Sequence, residues 1–393
     1  NGAPVLDDDG NPIYMVHIVS DGIVSNGGET SPDGREAWGW SPVPCAASVG
    51  NFDGLVVVNN ESEAIPTSDA RDRDLDGKPD SWPSAWYNPN LEQFVWPGAL
   101  QQGASNADQE TLYFMNDYNN KEFPYYPFPS DTTKRGLGLE VETRIYQWSN
   151  PLAEDALFLV YKISNKSERD LEKVTFGMWG DPHIGGPGDW PDDLAYFDRD
   201  LNMVFAWDAD LRSDIPGRVP GYFGYKFLES PGLGTEIING VTYEGDGIDN
   251  DEDGLLDESW TDGIDNDGDW NPDTDDVGID GIPGTGDFGE DDGIPTAGDP
   301  FDITQPGEPN FEFTDIDESD MIGLTSFVSP GFSGTRIDND RLVADLVKVG
   351  RFDAIPSTPG DYVFIYGSGS FPLRAGETKR FSIALLMGEN FED

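Results

Sequence analysis

The chain has 393 residues, and 76 Asp and Glu against 23 Lys and Arg give it a formal net charge of -53. Such a balance excludes nucleic acid as a partner, because phosphate binding needs clustered Lys and Arg, and it opposes binding to anionic membrane surfaces. The length suits about one to three domains, and charge of this size is tolerable where divalent cations neutralise much of it or where high salt screens it.

Cys45 is the single cysteine, so no disulfide can form within the chain. Another staple is needed, and extracellular calcium is the available one. No stretch is long and apolar enough for a transmembrane helix, so membrane insertion is not expected. The chain starts Asn1-Gly2-Ala3 and ends Phe391-Glu392-Asp393 after a strand-like run. It reads as a processed piece of a longer secreted protein.

Residues 1–135 form a turn-rich, aromatic-rich N-terminal region. Residues 13–19 (IYMVHIV) and 55–58 read as short apolar strands, with His17 a packed strand residue and not a ligand. Asp72, Asp74 and Asp76 alternate before Gly77, and Asp80 follows. An Asp-x-Asp-x-Asp-Gly run curls so that successive carboxylates converge on a calcium-sized cation. The Gly permits the tight turn, and a later acid closes the shell. Trp82 is expected to pack behind this loop. The region from Trp82 to Phe128 is dense in Trp, Tyr and Phe. Such rings either stack on sugars or fill a core poor in aliphatics, and the core reading is preferred.

Residues 137–148 (LGLEVETRIYQW) alternate in the manner of a half-buried strand, and 156–164 (ALFLVYKIS) and 171–179 (LEKVTFGMW) follow across a polar turn. This succession predicts an antiparallel sheet. The run YKISNKSERDLEKVTFG resembles two consecutive strands of Ig-like surface domains, in which an Asn ends one strand and a short loop leads to the next. Asp181 and His183 then break the pattern and could form a zinc or catalytic pair. A lone His is weak metal evidence, so a loop role is preferred. Further calcium ligands are expected among Asp181, Asp189, Asp192, Asp193, Asp198 and Asp200. Two more strands are read at 203–207 and 222–228.

Between Lys226 and Arg336 there is no basic residue. Within that span, Asp246, Asp249, Asp251, Asp253 and Asp257 recur sixteen positions later as Asp262, Asp265, Asp267, Asp269 and Asp273. In the first repeat Asp249, Asp251 and Asp253 are placed at the convergent positions, Gly254 at the turn, and Asp257 or Glu258 at closure. In the second, Asp265, Asp267 and Asp269 converge, Trp270 stands where the turn Gly would be, and Asp273 closes, with Asp276 among the spare oxygens. A shorter echo, DGIP followed by Gly-Asp, places Asp280 and Asp287 as further candidates. Calcium is favoured over magnesium, which prefers to keep several waters. The alternative is an acidic, Gly-rich linker that repels itself.

Beyond this insertion, residues 315–323 suggest one helical turn with Asp315 as N-cap. Residues 362–367 and 380–387 read as the closing hairpin of a sandwich. The predicted fold is therefore mainly β: an antiparallel Ig-like β-sandwich whose parts, 136–230 and 321–393, are split by an irregular calcium-binding loop insertion at 231–320.

The Asp repeats resemble thrombospondin type 3 repeats and the related DGxDNDxDGxxDE repeats of bacterial surface proteins. The resemblance covers residues 72–80 and 246–276, and it implies calcium-ordered loops with little regular secondary structure. The wider chain, with runs such as DESDMIGLTSF, is similar to large uncharacterised secreted proteins of environmental bacteria, which implies an exported, surface-associated product. The expected function is a calcium-stabilised structural module of a cell-surface layer, sheath or filament. It would self-associate or join other surface proteins through calcium bridges and strand addition at residues 13–19 or 380–387. A calcium-dependent glycan-binding adhesin and a secreted glycoside hydrolase are the alternatives. No nucleophile elbow, HExxH or phosphate loop is present, so an enzyme is not expected.

Overall fold

The computed structural model describes residues 18–20, 31–33, 38–42, 65–99, 103–199, 201–231, 236–238, 241–243, 270–296, 304, 306–311, 322–334 and 339–391. In chain order the first strands are β1 (Ser41–Pro42), β2 (Tyr87–Asn88), β3 (Gln93–Phe94), β4 (Gln109–Asn116), β5 (Leu139–Gln147), β6 (Ala156–Asn165) and β7 (Leu171–Gly180). They are followed by β8 (Asp193–Asp198), β9 (Met203–Asp208), β10 (Tyr222–Glu229), β11 (Glu236–Ile238) and β12 (Val241–Tyr243). The last are β13 (Leu324–Val328), β14 (Phe364–Leu373) and β15 (Thr378–Gly388), with a short helix α1 (Asp340–Leu346) between β13 and β14.

Eight strands form one antiparallel sheet in the order β1-β4-β5-β6-β15-β10-β9-β8, and β13-β14-β7 form a second, smaller one. Alternation makes them pack. In β6, Leu159, Tyr161 and Ile163 all point inward, as a period of two requires. They meet Phe371 and Leu373 of β14, while Phe176 of β7 stacks on Phe381 of β15 with centroids 4.4 Å apart. Nearer the other end, Ala195, Phe197, Val204, Ala206 and Phe227 of the large sheet bury against Leu324, Phe327, Phe364 and Tyr366 of the small one. The fold is thus mainly β and antiparallel, with two sheets facing across a shared apolar layer.

Residues 362–367 and 380–387 are not two arms of one hairpin. β14 lies in the small sheet and β15 in the large one, so the turn between them carries the chain across the core. β6 and β7 are joined in the same way. β15 is paired on one side to β6 and on the other to β10, so residues 380–387 have no free edge for strand addition. The other stretch proposed for pairing, 13–19, lies outside the described residues up to position 17. Val19 is in no strand: its N–H donates to Asp340 Oδ2 at 2.6 Å and its carbonyl accepts from Asn120 Nδ2 at 2.9 Å. Residues 55–58 and 312–321 lie outside the described residues.

The N-terminal region contributes two strands, β1 and β4, to the large sheet. β4 pairs with β5 along its whole length, and Leu112 and Phe114 project to the outer face, where Trp82, Trp86 and Trp96 cover them. The chain leaves β10 at Pro231 and returns at Ile322, whose N–H donates to Pro231 O at 3.1 Å, while Gly323 N donates to Ser230 Oγ at 3.0 Å. The described residues between these two points contribute no strand to either of the two facing sheets.

Candidate metal centres

The loop at residues 72–80 curls as its spacing requires. Gly77 takes φ +90°, and Asp72 receives the Leu75 and Gly77 amides at 2.7 and 2.9 Å, one on each oxygen. Burial is the largest single influence on Asp72 and raises its pKa, but the Gly77, Leu75 and Asp76 amides and the Asp74 side chain together outweigh it and hold the carboxyl below its ordinary value. One carboxylate oxygen from each of Asp72, Asp74 and Asp80 lies within 4.8 Å of the others. Asp76 is not in that group and accepts instead from Lys78 N at 2.8 Å. Arg73 lies 3.4 Å from Asp80 and competes for it. Trp82 is buried behind the loop, with its indole N–H donating to Thr67 O at 2.7 Å.

Of the acidic repeats, Asp246, Asp249, Asp251, Asp253, Asp257, Glu258, Asp262, Asp265, Asp267 and Asp269 lie outside the described residues. The later part is a run of Asx turns. Asp280 Oδ1 accepts from Ile282 N and Asp292 Oδ1 from Ile294 N, both at 2.8 Å, so the two DGIP motifs fold alike. Asp276 accepts from Gly293 N at 2.7 Å and Asp287 from Asp280 N at 2.8 Å. Asp273 is exposed. Among the described residues, Asp273, Asp276, Asp280 and Asp287 belong to no convergent group of three acids; Asp276, Asp280 and Asp287 accept from backbone amides instead. Trp270 is an anchor, its indole donating to buried Glu308 at 2.9 Å.

Two further groups gather at one end of the sandwich, where β7 and β9 end and β8 begins. His183 Nε2 lies 3.2 Å from Asp181 Oδ1, with Asp361 completing a group within 4.8 Å. Burial and the charge of Asp361 push the Asp181 pKa up, and His183 opposes them. His183 is therefore a surface loop residue facing two carboxylates.

Asp189, Asp192 and Asp208 form the other group, again within 4.8 Å. The β8–β9 hairpin creates it by pairing Asp193 with Asp208 across the strands. Ala209 N donates to Asp192 O at 3.1 Å, which brings the turn at Trp190–Asp192 beside the end of β9. Asp208 is fully buried. Its Oδ1 accepts from Arg212 N at 3.1 Å, and its Oδ2 has no donor. Asp193 Oδ1 and Asp189 Oδ2 are likewise buried without a donor. Burial, reinforced by neighbouring carboxylates, raises the pKa of Asp192 and Asp208 and lifts that of Asp193 to about 7. Sequence reading pointed to acids among 181–200 but missed Asp208, which only the hairpin brings to them.

The Trp82–Phe128 stretch offers no sugar platform at its tryptophans: Trp82, Trp86 and Trp96 are 5%, 7% and 2% exposed and pack on one another with centroids 5.4–6.0 Å apart. No helix among the described residues is long and apolar enough to cross a membrane. Searches against protein-family models and against curated proteins find no match to this chain.

Proposed function

We propose that this is an extracellular calcium-binding structural protein, a calcium-stabilised module of a cell-surface layer, sheath or filament. The observation that carries this reading is the loop at residues 72–80, where two acids of a DxDxDG run, Asp72 and Asp74, and the Asp80 that follows it lie within 4.8 Å of one another around a left-handed glycine turn. Hard oxygen ligands without His or Cys suit calcium best among the common divalent cations. Net charge of -53 supports the same conclusion, because cations lower the self-repulsion that opposes both folding and association. Association through calcium bridges follows from that charge, since bare acidic surfaces repel. The burial of the tryptophans removes the main support for the glycan-binding alternative.

Addition of EGTA tests the reading. Chelation is expected to lower the melting temperature and to disperse any assembly seen in calcium. Identical melting and identical assembly in calcium and in EGTA would end it.

A further inference from the structure

The geometry points to a divalent-cation site, of the calcium class, built by Asp189, Asp192 and Asp208 at the β8–β9 end of the sandwich. It lies outside both segments that carry the Asp-rich repeats. It rests on the reading above only for the choice of ion.

Acidic clusters are common on a surface this negative, and three carboxylates together would mean little. The distinguishing residue is Asp208. It is 0% exposed, with one oxygen on the Arg212 amide and the other without a donor, and one of its oxygens lies within 4.8 Å of oxygens of Asp189 and Asp192. A buried, half-unsatisfied carboxylate beside two others is strongly disfavoured unless a positive charge compensates it. Arg212, whose amide Asp208 accepts, supplies none: it turns its guanidinium outward, 3.8 Å from exposed Asp210. The loop is also shaped around the carboxylates. Gly185 sits at φ +95°, where a Cβ would collide with Asp189 Oδ2, and Ser213 Oγ donates to Gly185 O at 2.5 Å, which pins the two loops together. Asp193, paired across from Asp208 with its own Oδ1 lacking a donor, is placed to add a ligand or to hold a coordinated water. A bound ion would fasten the 181–192 loop to the end of β9.

The test counts calcium bound to the full chain by equilibrium dialysis and measures melting in calcium and in EGTA for wild type, Asp208→Asn, Asp192→Asn and Asp72→Asn. Asp208→Asn keeps the oxygen that accepts from Arg212 N. It is expected to bind one ion fewer, to gain less from calcium on melting, and in EGTA to melt at or above wild type because a buried charge is gone. A purely structural Asp208 would instead lower melting in both conditions. Asp192→Asn is expected to lose the same ion, and it decides the matter should Asp208→Asn not fold. Terbium gives a second readout. Trp190, in the turn between two of the ligands, should sensitise its emission, and part of the signal should vanish in Trp190→Phe with the ion count unchanged. An unaltered ion count in both Asp208→Asn and Asp192→Asn overturns this site. If Asp72→Asn then still loses an ion, the general calcium reading survives that failure. A wild-type chain that binds no calcium overturns both.

Discussion

The side-chain amide of Asn165 donates to the carbonyl of Leu373 at 2.9 Å, joining the two places where the chain crosses from one sheet to the other. The same amide also donates to Arg169 O at 2.8 Å, and Asn165 Oδ1 accepts from Ser167 N at 2.9 Å. Backbone bonds from Gly376 N to Asn165 O and from Asn165 N to Glu377 O complete the tie. Asn165 is fully buried, so its truncation strands several polar groups away from water. Replacing it by Ala should cost about 2–4 kcal/mol, since each buried unsatisfied group costs roughly 1–3. Urea unfolding in saturating calcium measures this. A loss under 1 kcal/mol would show that the backbone bonds hold the crossings alone.

That tie explains where sequence reading succeeded and stopped. β5 was legible because its alternation marks a half-buried strand, and β6, β7, β9 and β10 because short apolar stretches punctuated by turns mark strands wherever they pair. The reversal at Leu373-Arg-Ala-Gly-Glu-Thr was legible too, but turn chemistry does not say whether the returning strand joins the same sheet. β4 was hidden by the surrounding aromatics and Asn, and β8 (DLAYFD) by the aspartates that flank it. The curl of the 72–80 loop follows from local spacing, although Asp80 and not Asp76 joins Asp72 and Asp74. Asp208 joins Asp189 and Asp192 through hairpin register, which no motif encodes.

Glu110 and Arg144 form an ion pair between β4 and β5 under the tryptophan cluster, 1% and 3% exposed. Glu110 also accepts from Trp96 Nε1 at 2.8 Å, and Arg144 also meets Glu142 at 2.6 Å and Pro97 O at 2.9 Å. Breaking such a pair from one side leaves an uncompensated buried charge and costs about 3–5 kcal/mol. Arg144→Met should therefore destabilise strongly, whereas Glu110→Gln, which retains an acceptor for Trp96, should cost less. Denaturant midpoints for the two variants decide the order.

Asp117 supplies the pH dependence. Burial pushes its carboxyl up to about 6, although the Leu137, Gly138 and Leu139 amides and the Ser20 hydroxyl all donate to it and pull the other way. The folded pKa exceeds the unfolded value of about 3.9, so between roughly pH 4 and 6 the folded state keeps a proton that the unfolded chain releases. The contribution of Asp117 is thus fully present below pH 4 and is lost as pH rises through 6, a change on the order of 3 kcal/mol. Asp117→Asn should be less stable throughout because its NH2 group faces donors. The gap between variant and wild type should narrow as pH rises from 4.5 to 7. Urea titrations in EGTA at both pH values test the sign, and a gap that widens with pH would refute it.

Glu308 is the hub of the loops at residues 270–311. Its carboxylate accepts from Trp270 Nε1 and Gly278 N at 2.9 Å and from Thr296 N at 3.1 Å, and it is 3% exposed. Three donors drawn from separate turns converge on one side chain, so it performs within this segment the ordering that an ion would perform in an Asp-rich loop. Glu308→Ala should release all three at once. Trp270 emission should then shift to the red, and proteolysis should become faster between residues 270 and 311 while the sandwich keeps its β signature in circular dichroism. Glu308→Gln retains acceptor oxygen for only part of the set and should fall between the two. If Glu308→Ala left both the emission and the proteolysis rate at wild-type values, the turns would be held by their Asx bonds and not by this carboxylate.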